Sequence, residues 1–187
     1  MNKYLIISKN WLGYAAVVTL LCFLVYIVAQ QNFRQSANDP QYQMAQDAAN
    51  AINKGADPKL IVGSAPVEIS TTLSPYLLIY DANGNSIGNN ITLDSKPPKL
   101  PGGVLEATRC QHTNVVTWQP RPGVRQATIM IAAGRGYTIV AGRSLQTTEE
   151  RVSILGTQVI FGWMASLAVM LVIVFLQELM TSKMSVA

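Results

Sequence analysis

Cys110 and His112, one residue apart, are the nearest thing in this sequence to a nucleophile or metal pair. A nucleophilic cysteine needs a base within hydrogen-bond reach, and tetrahedral zinc needs four ligands, or three and a water. His112 is the sole histidine, and the other cysteine, Cys22, lies inside a long apolar run. Two ligands do not make a zinc site. His112 is expected on a surface loop, and Cys110 is a free thiol or an intermolecular link, with a buried, inert thiol the expectation. Asp81, Asn83 and Asn85 occupy the first, third and fifth positions of a calcium-loop pattern. Ser86 then stands where that loop turns on glycine, and Thr92 where it needs a bidentate glutamate. A side-chain-capped turn is expected there instead. Gly134-Arg135-Gly136 is a fragment of a phosphate loop, and the full G-x-x-x-x-G-K-[ST] pattern does not occur. No enzyme activity, metal or cofactor is expected.

What remains is a binding surface. Tyr80, Trp118, Arg125, Tyr137 and Arg143 are the candidate ligand residues. Arginine suits bidentate capture of a carboxylate or phosphate, and aromatic rings supply apolar walls. Each has a structural alternative: Trp118 as a core or rim residue, Arg143 as the partner of Glu149 or Glu150.

The elements that must position these residues start with two uncharged runs, Trp11 to Ala29 and Val159 to Leu176. A hydrocarbon core about 30 Å thick needs roughly 20 apolar residues as a helix, so both are expected to span a membrane. The low charged fraction of 13% agrees, and Trp11 and Trp163 sit near span ends, where aromatic residues favour the interface. The first run is longer than a signal-peptide core of ~7–15 residues and is expected to be retained. Residues 1–10 and 177–187 read as cytoplasmic tails carrying Lys3, Lys9 and Lys183, and the middle is placed outside the inner (plasma) membrane. That middle, Gln30 to Ser153, holds eleven basic and nine acidic residues, too balanced for a nucleic-acid surface.

Within the middle, helix is expected to continue from the first span to about Ala37. Asp39-Pro40 reads as an N-cap with proline at the first helical position. Met44, Ala45, Ala48, Ala49 and Ile52 make one apolar stripe, and Gly55 is the natural stop. Tyr76 to Tyr80 reads as a buried strand, and a short helix is expected around Gly103 to Arg109. Val115 to Gln119, Ala127 to Ala132 and Tyr137 to Ala141 read as a three-strand meander with glycine-containing turns. This order predicts an α+β fold with an antiparallel sheet of about five strands. After it, Ser144 is expected to cap a helix that enters the second span unbroken, overlapping the domain end over 144–158. Leu145, Thr148, Val152, Leu155 and Val159 form a short heptad-like seam on it, a candidate signalling and dimer surface between two copies.

In their order, "PYLLIYDANGNSIGNN", "LPGGVLEAT", "VVTWQPRPGVRQATIMI" and "GYTIVAGRSLQTTEERVSILG" resemble the extracytoplasmic PAS-like (PDC, or Cache-type) sensor domains of bacterial membrane receptors, as in sensor histidine kinases. The resemblance covers Gln31 to Gly156. It implies a five-stranded antiparallel sheet, a long N-terminal helix, an exit helix into the second span and an unknown small ligand held in the sheet's pocket. Receptors of that kind continue into an output domain, whereas only "QELMTSKMSVA" follows the second span here. The expectation is a sensor module, embedded in membrane lipid, that signals to a separate membrane or cytoplasmic partner. The alternative is a structural or assembly protein using the domain as a docking surface.

Overall fold

The structure, a computed structural model, describes residues 3–184, with side chains over 7–9 and 11–181. Met1, Asn2 and 185–187, the outer ends of the two expected tails, lie outside the described residues, as do the side chains of Lys3 and Lys183. In chain order the elements are α1 (Lys3–Ser36), α2 (Asp39–Asn53), α3 (Pro58–Ile61), β1 (Val67–Glu68), β2 (Tyr76–Tyr80), β3 (Ser86–Asn89) and β4 (Ile91–Thr92). They continue with α4 (Val104–Gln111), β5 (Thr113–Arg121), β6 (Val124–Ala132), β7 (Thr138–Ser144) and α5 (Gln146–Met184). The chain divides into two units, Met1–Phe33 with Arg151–Ala187, and Arg34–Glu150.

The first unit is built from α1 and α5. Both are long and apolar enough to cross a membrane. They run antiparallel: the Trp163 indole donates to Thr19 Oγ1 at 2.9 Å, and the Trp11 indole to the Leu167 carbonyl at 3.2 Å. Thr19 hands its own proton back to the Ala15 carbonyl at 2.7 Å, so its hydroxyl is satisfied on both sides. These two polar contacts link the helices, while most of the apolar surface of both stays exposed.

The second unit is α+β. Its main sheet has five antiparallel strands in the order β3-β2-β7-β6-β5, and β1 and β4 form a separate parallel pair. Strands β5, β6 and β7 make the expected meander, and β2 adds to its β7 edge. Alternation along β2 sends Leu77 and Ile79 to one face and Tyr76, Leu78 and Tyr80 to the other, so both faces are buried. One face is covered by α2, whose Ala45, Ala48, Ala49 and Ile52 pack on Leu77, Ile79, Ile129, Ile139 and Ala141. Alanine at three of those four positions lets the helix approach the sheet closely. The other face carries Tyr76, Leu78, Trp118, Met130 and Val140 and is closed by Ile69 and Ile91 of the β1–β4 strap and by Val104 and Leu105 of α4.

Some boundaries differ from expectation. The cap of α2 is Asn38, with no side-chain capping bond, and proline falls inside the first turn. Ser144 ends β7 rather than capping a helix, although its hydroxyl still accepts from Gln146 N at 3.3 Å. Gly55 ends α2 as expected, at φ +98°. Cys110, expected buried, is exposed, because it points away from the sheet on the outer side of α4. His112 is exposed as expected, in left-handed backbone at φ +66° just past α4.

Candidate functional site

The five residues singled out as ligand candidates do not converge. Trp118 is 4% exposed and belongs to the core of the face away from α2. Tyr80 borders that same core, while Tyr137 packs on the opposite, α2-covered face. Arg125 pairs with Glu149, and Arg143 donates from Nε to the Leu73 carbonyl at 3.2 Å. The glutamate expected beside Arg143 is therefore taken by Arg125, which projects from β6 next to the root of α5.

A different group gathers around Tyr80. Thr138 lies directly opposite it in the β2–β7 ladder, so both side chains leave the sheet on the same face. Arg109 reaches in from α4, its Nη2 donating to the Asp81 carbonyl at 2.8 Å, one residue beyond Tyr80. Thr108 beside it is fully buried, and its hydroxyl bonds the Val104 carbonyl and contacts the Met130 sulfur. Two buried donors here have no protein partner: Arg109 Nε and Thr138 Oγ1. Buried polar groups are normally hydrogen-bonded, so such atoms ask for an explanation. Burial also raises the Tyr80 pKa, keeping the phenol a neutral donor. Arginine Nε can only donate, and a phenol and a threonine hydroxyl both can. The three together suit acceptor oxygens.

Another orphan, the Tyr76 hydroxyl, sits at the other end of β2, about 13 Å away at ~3.3 Å per residue. Its ring lies over Gly142 of β7, and burial drives its pKa far up, with Tyr80 a smaller contributor. The turn after Tyr80 is closed on itself. The Asp81 carboxylate accepts from Asn85 N (2.8 Å), Asn83 N (2.9 Å) and Asn85 Nδ2 (3.1 Å), and these bonds, led by the Asn85 amide, lower its pKa. A carboxylate spent on its own loop is a turn cap. Among the described residues no group of three His, Cys, Asp or Glu side chains is placed to hold a metal ion.

The strap over this face is pinned by one carboxylate. Glu68 accepts from the Ser70 hydroxyl (2.7 Å), Ser70 N (3.3 Å), Asp94 N (3.3 Å) and Ser95 N (3.5 Å), and its pKa is lowered, chiefly by the Ser70 hydroxyl. Asp94 in turn holds Arg121 at the β5–β6 end, and Gln126 Nε2 donates to the Ile69 carbonyl at 3.1 Å.

The exit from the sheet is short. Only Leu145 separates β7 from α5, and its N–H donates to the Arg125 carbonyl at 2.9 Å. Glu149, one turn on, bonds Leu145 O through its backbone and Arg125 through its side chain. Leu145, Thr148, Val152, Leu155 and Val159 are half-buried, while Glu149, Glu150, Arg151 and Ser153 are exposed. Its Val159 end shares a groove with Thr19, Cys22, Phe23 and Tyr26 of α1.

Thr138 and Arg109 escaped sequence reasoning for different reasons. Thr138 alternates with Val140 and Gly142 on a strand, a period-two signal that was legible. Arg109 becomes notable only once α4 is laid on the sheet. Comparison with protein-family models finds no match for this chain, and comparison with curated proteins finds none either.

Proposed function

We propose that this chain is a membrane-anchored sensor module. In this reading α1 and α5 cross the inner membrane with both termini in the cytoplasm, and the Arg34–Glu150 unit lies outside as a PAS-like, Cache-type domain. It binds a small molecule bearing acceptor oxygens beside Arg109, Thr138 and Tyr80. The observation that carries the reading is the path of β7. This middle strand begins at Thr138, with its orphaned hydroxyl, and ends one residue before α5. A ligand that prefers one position of β7 thereby prefers one position of the helix root, which Arg125 clasps from the neighbouring strand. Such differential binding is the requirement for any transmitted signal, and shifts of packed helices by 1–2 Å are a known means of carrying it. A separate chain in the membrane or cytoplasm receives the motion. Pairing of two copies through Thr148 and Val152 belongs to the same proposal.

The test is a thermal-shift screen of the full chain in lipid nanodiscs against small carboxylates, phosphates and polyols. A stabilising compound is expected, with its effect lost in Thr138→Val and Arg109→Gln. No stabilising compound, or one indifferent to both substitutions, defeats the sensor reading. Cysteine substituted for Val152 is expected to cross-link copies in membranes, and failure there removes only the pairing.

A further inference from the structure

The α2-covered side of the domain holds a groove of about 550 Å³ that the Arg109–Thr138 cluster does not touch. One wall is a stripe of α2 carrying Gln43, Met44, Asp47 and Ala48, and the far wall includes Ile61 and Asn90. It exists because β3 pairs with β2 only over Leu78–Tyr80, which leaves the first residues of β2 without a neighbouring strand on that side. Asn90 covers part of the gap, its Oδ1 accepting from Leu77 N at 3.4 Å.

The chemistry of the lining is one-sided. Asp47 is its only ionisable carboxylate, it is exposed, and it belongs to none of the ion pairs among the described residues. No lysine, arginine or histidine lines the groove. The side-chain amides of Gln43 and Asn90 offer further carbonyl acceptors, and a carbonyl oxygen already bonded once keeps a second lone pair. Met44, Ala48 and Ile61 make the rest apolar. The surroundings are apolar too. Tyr42 and Leu60 each adjoin a lining residue in the chain and are exposed, Leu60 at 84%. Large exposed apolar side chains grouped around one concavity mark a binding surface more often than chance placement does.

We propose that this groove binds a small primary ammonium compound with an apolar chain or ring. The ammonium sits on Asp47 with the amide oxygen of Gln43, on the same wall, as a further acceptor, and the apolar body reaches across Met44 and Ala48 towards Ile61. A volume of this size matches the roughly 300–1,000 Å³ range of small-molecule sites.

Three probes of equal length separate the ammonium from its alternatives: n-hexylamine, n-hexanol and hexanoate. The full chain, labelled on methionine methyl groups and held in zwitterionic nanodiscs, is titrated by NMR, with the Met44 signal assigned by its loss in Met44→Leu. Hexylamine is expected to move that signal at the lowest concentration and hexanoate at the highest. Asp47→Asn is expected to weaken hexylamine roughly two- to fivefold, the worth of an exposed ion pair, and to leave hexanol unchanged. Ala51→Trp, which fills the groove from an α2 position along its wall, is expected to abolish all three responses. Equal affinity for the three probes, an Asp47→Asn variant that binds hexylamine like the parent, or binding that survives Ala51→Trp overturns the proposal. Binding is read here directly, so the result stands apart from whether the chain signals.

Discussion

Gly142 is the position where one methyl group tests the packing of the sheet. It lies opposite Tyr76 in the β2–β7 ladder, and a Cβ built on it would run into the Tyr76 Cζ and Oη atoms and come to 2.6 Å from Cε2. The backbone at Gly142 is not in the left-handed region, so alanine there meets only a steric obstacle. Tyr76 is 1% exposed and hemmed in by Leu78, Val140 and the strap, so the ring has no free space to retreat into. Overpacking of a close-packed core costs about 1–3 kcal/mol. Replacing glycine within a strand returns about 0.5–1 kcal/mol of that through the unfolded chain. With three Tyr76 side-chain atoms inside van der Waals contact the overpacking cost falls in the upper part of its range, about 2–3 kcal/mol, so Gly142→Ala is expected to destabilise the domain by about 1–2.5 kcal/mol, a fall of roughly 3–15 °C in Tm for a domain of this size. In a Tyr76→Leu background the obstacle is gone, and the same substitution is expected to be neutral or slightly stabilising. The assay is a double-mutant cycle by urea denaturation of the full chain in mild detergent, followed by near-ultraviolet circular dichroism. A coupling of about 1–3 kcal/mol between the two positions is the expected result. A Gly142→Ala variant as stable as the parent, or one that loses as much stability without the Tyr76 ring as with it, refutes the reasoning.

Tyr76→Phe removes a buried hydroxyl that has no protein partner and is expected to stabilise the domain by about 1–3 kcal/mol in the same assay; a loss of stability would show the hydroxyl to be bonded. The raised pKa of Tyr76 favours the neutral phenol in the folded state, so stability that is full below the ordinary value of 10.0 declines as pH rises beyond it, and Tyr76→Phe is expected to flatten that alkaline limb. Glu68 behaves in the opposite sense: its folded pKa is lowered, so the strap's stabilisation is present above the ordinary value of 4.5 and is lost as pH falls through the folded value, an acid limb that Glu68→Gln should weaken in a pH series of melts. Trp118→Ala is expected to cost about 3–5 kcal/mol, as deletion of a buried aromatic side chain does, measured as a shift of the denaturation midpoint. Arg125→Ala is expected to cost under about 1 kcal/mol, because both partners are nearly half exposed, and the difference from the parent should shrink in 1 M salt.

Much of the architecture was legible because it follows from local periodicity. The apolar stripe of α2, the run Tyr76–Tyr80, the helix after Gly103 and the meander β5–β7 all appear where expected, β2 with the expected ends and the short helix and the meander strands with ends shifted by a few residues. The two-residue strands β1 and β4 and the short α3 were not legible, since each is made by partners far away in the chain and has no period of its own. The candidate site was legible only in part. Tyr80 was recognisable as an aromatic at a strand end, whereas the partners of Arg125 and Arg143, Glu149 and the Leu73 carbonyl, could not be assigned from spacing.

The sequence by itself determined an α+β domain bracketed by two long apolar helices, because hydrophobic run length and alternation report directly which residues must leave water. Tertiary structure alone decided that β2 joins β7 and so places Tyr80 against Thr138, Tyr76 against Gly142 and Arg109 over the turn at Asp81. Strand neighbours are chosen by the total fit of two faces and a strap, a sum over contacts distant in sequence, and no single stretch of residues carries that information.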